Sequence, residues 1–257
     1  MRTEELSTGR LTHVVLRNLL IQAAWNYDNF QGVGFAYAVL PSLRTGSEGE
    51  ADERPLLQRH MKFFNTNPYL AGMIIGGTLR LEEERREDRI TSEQIDVFKN
   101  DLMGALGALG DSFIWGALRP LVGLLAVLVA ILFETIAPLV FLVLYNGVTL
   151  WLRFSGVKNG YRHGFDVLRY LKDLQLQRKI HWMNGVILFL VGAFLPLWGM
   201  QILPLRSFAY FGLCGFLVLV LLGVWSAERK GVSLFVQVIC LLLLSQGLAF
   251  LGWISFS

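Results

Sequence analysis

The chain has 257 residues, of which 54% are hydrophobic and only 17% charged, against about 25% charged in a typical soluble domain. So much apolar surface excludes an ordinary water-soluble core. A net charge of +3 is too small to argue for nucleic acid, and Cys214 and Cys240 lie inside apolar runs, where neither a disulfide nor a metal site is expected.

In chain order, Met1 to Arg17 is polar and lacks an apolar core followed by a small-residue cleavage site, so no secretory signal is expected. Residues 1–118 form a mixed polar and apolar region. Its apolar stretches, Leu11 to Leu20, Val33 to Leu43 and Tyr69 to Leu79, fall short of the roughly 20 residues of a membrane-crossing helix. They read as re-entrant, half-spanning or interfacial segments that need protein around them. Ser47 to Asp52 reads as a loop. Leu81 to Ile90 reads as a solvated helix face, with Glu82 and Arg86 spaced i,i+4.

Three segments of this region carry groups that suit a polar ligand. In Gln22 to Gly34, Trp25, Tyr27 and Phe30 stand beside Asn26 and Gln31, a mixture that fits a sugar or equally an interfacial helix. In Arg59 to Pro68, the run Asn65, Thr66, Asn67 either caps the helix that follows or turns its amide and hydroxyl groups to a ligand whose hydroxyls both donate and accept. In Leu102 to Pro120, Gly104, Gly107 and Gly110 recur at every third position and Asp111 follows. The glycines read as a thin face that another helix can approach. An ionisable residue at the mouth of an apolar segment is a functional candidate. His13, His60, His163 and His181 are far apart and match no metal-ligand spacing.

Residues 119–152 are apolar except for Glu134. With Pro138 also near the middle, they read as a transmembrane hairpin with Glu134 near its far end, a single kinked helix being the rival. Residues 153–181 hold Arg153, Lys158, Arg162, Arg169, Lys172, Arg178 and Lys179 against Asp166 and Asp173, which predicts a basic cytoplasmic loop. Residues 182–257 then divide into three transmembrane helices, with Trp182, Trp198, Trp225 and Trp253 near their ends. The fold class expected is an all-α integral membrane protein.

The three polar segments together resemble the signature regions of the IID component of the phosphotransferase system (PTS) mannose/fructose/sorbose family. The matching residues are Trp25-Asn26-Tyr27-Asp28 with Gly34-Phe35; Arg59-His60, Phe63-Phe64-Asn65-Thr66 and Pro68; Leu79 to Glu84; and Leu102 to Gly104, Gly107, Gly110-Asp111, Trp115-Gly116 and Arg119-Pro120. A weaker likeness continues through Gly156 to Asp166, so that the resemblance covers roughly residues 10–190. The chain departs from the family's pattern at Leu106 and Ser112, where relatives usually carry prolines, and in a short connector between residues 200 and 208.

The resemblance implies a multi-pass protein of the bacterial cytoplasmic (inner) membrane that translocates a hexose with a IIC subunit, in a trimer of IIC–IID heterodimers. Soluble IIA and IIB phosphocarriers would supply the phosphate. This chain would then be a non-catalytic subunit without a cofactor, and Asn65, Thr66, Asp111 and Asn26 would be its substrate-binding candidates. The alternative is a shortened IID-like protein kept for regulation or assembly.

Overall fold

The computed structural model describes residues 7–43 and 53–202. Contacts divide the chain into two units, Met1–Leu190 and Val191–Ser257. Of the second, the described residues are 191–202, the end of a helix. The expected loop at Ser47 to Asp52 falls outside the described residues, as do both cysteines, Trp225, Trp253 and the last two expected transmembrane helices.

Among the described residues the structure is helical, apart from two isolated bridges, Asn26 with Phe30 and Phe30 with Phe64. The helices are α1 (Thr8–Asn18), α2 (Gly32–Leu43), α3 (Glu53–His60), α4 (Ala71–Arg86), α5 (Ser92–Gly110), α6 (Arg119–Leu132), α7 (Ala137–His163), α8 (Val167–Asp173) and α9 (Leu176–Ile202). A π-helical segment, Asp111–Leu118, joins α5 to α6, and a short 3₁₀ turn, Gly164–Asp166, joins α7 to α8.

The centre of the first unit is α4. Met73, Ile74, Ile75 and Leu79 are fully buried, and burying each such side chain contributes about 1.5–3 kcal/mol. Its main neighbour is α7, with α5 and α2 on other sides. The contact with α7 is close because Gly72 and Gly76 meet Gly156 and Gly160. A Cβ on Gly76 would stand 2.1 Å from Val157 O, and one on Gly160 2.2 Å from Met73 O. This is the small-residue seam of membrane helix pairs. The seam expected at Gly104, Gly107 and Gly110 is not a helix contact. A Cβ on Gly104 would meet nothing within 4 Å, and the other two positions face the loop at Thr66 and Asn67.

Helix α6 stops at Leu132 and α7 begins at Ala137, with exposed Glu134 in the turn between them. Pro138 lies in the first turn of α7, where no intrahelical bond is lost. The stretch read as a basic loop from Arg153 is largely helical: α7 runs on to His163, and α8 and the start of α9 follow. Arg153 is buried, donates from Nη1 to Asn18 O at 2.7 Å, and lies over the Tyr69 ring at 4.8 Å. Its charge is held by a carbonyl and a ring face instead of water, a surrounding that no count of basic residues contains.

Two stretches of helix, Ser92–Ile131 and Ala137–Gly192, are long and apolar enough to cross a membrane. Their outward side chains agree with an apolar surrounding: Val127, Ile131, Leu139, Leu142 and Val143 are each at least half exposed. So much exposed aliphatic surface marks a membrane or partner face.

Candidate functional site

The candidate residues of the second and third segments meet through one hydrogen bond. Asn67 is buried, its Nδ2 donates to Asp111 Oδ1 at 2.9 Å, and its Oδ1 accepts from Tyr69 N at 3.0 Å. The carboxylate can only accept, so it sets the orientation of the amide. Gly110 makes room: a Cβ there would stand 2.4 Å from Asn67 Cβ. Asn65, two residues earlier, is exposed. Thr66 is buried, and its Oγ1 has no hydrogen-bond partner.

Asp111 opens the π-helical segment, which ends at Leu118, two residues before Pro120. A proline donates no bond, and its ring crowds the carbonyl four residues earlier; the wider π turn relieves that crowding. Ser112, one of the departures from the family's pattern, bonds back to Ala108 O at 2.9 Å. On the same segment Trp115 packs edge-on against Tyr69 at 5.5 Å, and Arg119 lies 5.7 Å from the Trp115 ring. Tyr69 also meets Tyr145, their hydroxyls 3.2 Å apart.

The loop before Asn67 is fixed from the other side. Gln31, itself buried, donates from Nε2 to Thr66 O at 2.8 Å and accepts at Oε1 from Thr66 N at 3.1 Å. Its amide thus pairs with both backbone groups of one residue, as a neighbouring strand would. Two backbone bonds, Gln31 N to Phe64 O and Phe64 N to Asn29 O, continue the pairing.

Asn26 serves the same corner but turns inward. Its Oδ1 accepts from Asp28 N and Asn29 N at 3.0 and 3.1 Å, and its Nδ2 donates to Ala24 O and Asn29 Oδ1 at 3.2 and 2.7 Å. Both ends of the amide are used within the turn. The exposed groups beside it are aromatic: Trp25 packs edge-on against Tyr27 and Phe30, and Tyr27 is 86% exposed.

The acidic face of α4 differs from the solvated reading. Glu82 is fully buried, with Oε1 at 3.0 Å from His60 Nε2 and 3.4 Å from Arg59 Nε, and Oε2 at 2.8 Å from Arg85 Nε. Its partners are therefore Arg85 on its own helix and α3, whereas Arg86 donates to Leu43 O. Burial pushes the Glu82 carboxyl up, but the hydrogen bonds from His60 and Arg85 and the charge of Arg59 outweigh it and hold the pKa down to about 2. Burial pulls His60 below its ordinary 6.5 despite Glu82. A neutral imidazole that donates from Nε2 satisfies the pair and leaves Nδ1 as a bare acceptor, in keeping with its lack of a partner.

Of the sequence candidates, then, Asn65 and Thr66 share the loop that Asn67 ties to Asp111, while Asn26 is spent on its own turn. Asn67, Gln31 and Glu82 carry the geometry without having been singled out as site residues. Asn67 and Gln31 lay inside the polar segments, and nothing in the sequence distinguished them from their neighbours. Chemically, the arrangement offers an exposed amide at Asn65, an exposed carboxylate at Asp111 and the partly exposed Trp115 ring. These are groups that accept, donate and stack.

Comparison with known proteins gives one consistent result. The family model for the PTS system mannose/fructose/sorbose family IID component matches residues 5–207. The PTS system mannose-specific EIID component of Escherichia coli (strain K12) is 33% identical over 204 residues, 79% of this chain and 72% of that protein. The sorbose-specific EIID component of Klebsiella pneumoniae is 31% identical over 206 residues, 80% and 75% of the two chains. Among solved structures, one described as a membrane protein has a TM-score of 0.67 at 27% identity, covering 95% of this chain and 97% of the other. A chain of the mannose transporter ManYZ in complex with microcin E492 has a TM-score of 0.59 at 28% identity, with the same coverages.

Proposed function

Because this chain belongs to the PTS mannose/fructose/sorbose IID family, a family of membrane transport subunits, we propose that it translocates a hexose across the bacterial inner membrane together with a IIC subunit. Soluble IIA and IIB carriers phosphorylate the sugar on the cytoplasmic side. The substrate-facing groups in this reading are Asn65 and Asp111, with Thr66 and Asn26 shaping the loop and turn beside them. The full assembly is a trimer of heterodimers, and the chain crosses the membrane several times.

The observation that carries the proposal is the Asn67–Asp111 bond. It fixes the polar loop to the middle of a helical stretch, Ser92–Ile131, long and apolar enough to span a membrane, so that exposed hydrogen-bonding groups stand beside apolar ones. A desolvated sugar needs such groups, because each hydroxyl left unpaired costs about 1–3 kcal/mol.

The test is phosphoenolpyruvate-dependent uptake of labelled hexoses in cells that carry this chain with its partners. Accumulation as the sugar phosphate is expected, and Asn65→Ala or Asp111→Ala should lower uptake about tenfold, the worth of one hydrogen bond to a polar ligand. Unchanged uptake in both variants refutes the site. Absence of uptake for every hexose favours the second reading, a IID-like protein that regulates or assembles, which the departures at Leu106 and Ser112 support.

A further inference from the structure

Helices α5, α8 and the start of α9 enclose a groove of about 400 Å³ that plays no part in the site above. Ala105 and Leu109 of α5 form one wall, and Leu168, Leu171 and Leu176 form the other. Exposed Lys172 also lines it. In the flanking stretch 166–179 stand three more exposed cations, Arg169, Arg178 and Lys179, against two exposed acids, Asp166 and Asp173. Among the described residues, none of these four side chains makes a hydrogen bond or ion pair.

Two features decide what fits. From Trp182 to Leu205 the chain has no charge, so the cations of α8 and α9 stand at the boundary between the apolar part of α9 and water. The groove is also small. A helix about 10 Å across would fill its volume with roughly one turn, whereas a single hydrocarbon chain is thinner and presents no backbone groups to satisfy. A cationic rim over an apolar slot at interfacial depth is complementary to an anionic headgroup above an acyl chain.

We propose that this groove binds one anionic phospholipid, its acyl chain against Leu168, Leu171 and Ala105 and its phosphate at Lys172. The lipid fastens α8 to α5 and α9 at the membrane surface. The site is independent of the sugar-binding reading.

Native mass spectrometry of the full chain, extracted from bilayers of equal phosphatidylglycerol and phosphatidylcholine, tests it. One phosphatidylglycerol is expected to be retained in preference to phosphatidylcholine. Lys172→Gln, which removes no side-chain hydrogen bond or ion pair among the described residues, should lower that preference about fivefold, the effect of one cation near an anionic surface. Ala105→Trp should abolish retention by filling the slot, and inorganic phosphate should not displace the lipid. A photoreactive benzoylphenylalanine in place of Gln175 should crosslink to lipid in the native membrane. Equal retention of both lipids, no effect of Lys172→Gln, or a crosslink to a protein chain overturns the proposal.

Discussion

At Gln31 one side chain does the work of a strand. Gln31→Leu keeps the volume but leaves the N–H and C=O of buried Thr66 without partners, which costs about 1–3 kcal/mol for each lost partner. The expected result is a lower melting temperature of the purified chain in detergent. Glu82 makes a different prediction. Its folded pKa of about 2 lies below its ordinary 4.5, so the ionised group adds stability that is complete above pH 4.5 and is lost as the pH falls through 2. His60, depressed from 6.5 by burial, acts in the same direction from pH 6.5 downward. Melting temperature followed from pH 7 to pH 3 should therefore fall steadily. In Glu82→Gln that fall should flatten below pH 4.5, after an initial loss of ~3 kcal/mol from breaking a buried ion pair.

Among the elements, the α4–α7 seam depends on four glycines more than on any large side chain. Gly76→Ala or Gly160→Ala places a methyl group within 2.2 Å of a backbone oxygen on the facing helix. The helices must separate, at a cost of about 1–3 kcal/mol. Gly104→Ala is the control, because nothing lies within 4 Å of its Cβ position. Unfolding of the three variants in detergent should leave Gly104→Ala at the parent value and lower the other two. The repeat read from the sequence as a packing face was Gly104, Gly107 and Gly110, and spacing alone did not point to Gly72, Gly76, Gly156 and Gly160 instead. A three-residue repeat and a four-residue repeat both line one side of a helix, and which side meets a neighbour depends on elements distant in the chain.

For the whole molecule the proposed topology is open to measurement. With the native cysteines replaced, Glu134→Cys in the α6–α7 turn should react with an impermeant maleimide from outside intact cells. Arg169→Cys on α8 should react only in inverted vesicles. Both positions are exposed, so neither is shielded by this chain, and labelling of each after permeabilisation is the control for access. Labelling of both from one side would refute the hairpin orientation.

The sequence by itself determined the membrane class, because hydropathy is a sum over residues and needs no geometry. It also determined the family, because the order and spacing of Trp25-Asn26, Phe63 to Thr66 and Gly110-Asp111 are properties of a string. The break between α6 and α7 was likewise legible, since Glu134 and Pro138 act locally. Only the tertiary structure decided that Asn67 is the residue that reaches Asp111, that Asn26 is consumed by its own turn, that Glu82 and Arg153 are buried charges, and that Gly76 and Gly160 form the seam. All but the Asn26 turn rest on a partner 22 to 135 positions away or on burial by other helices. A charge looks the same in the sequence whether water or a buried histidine surrounds it, and the surroundings are what folding supplies.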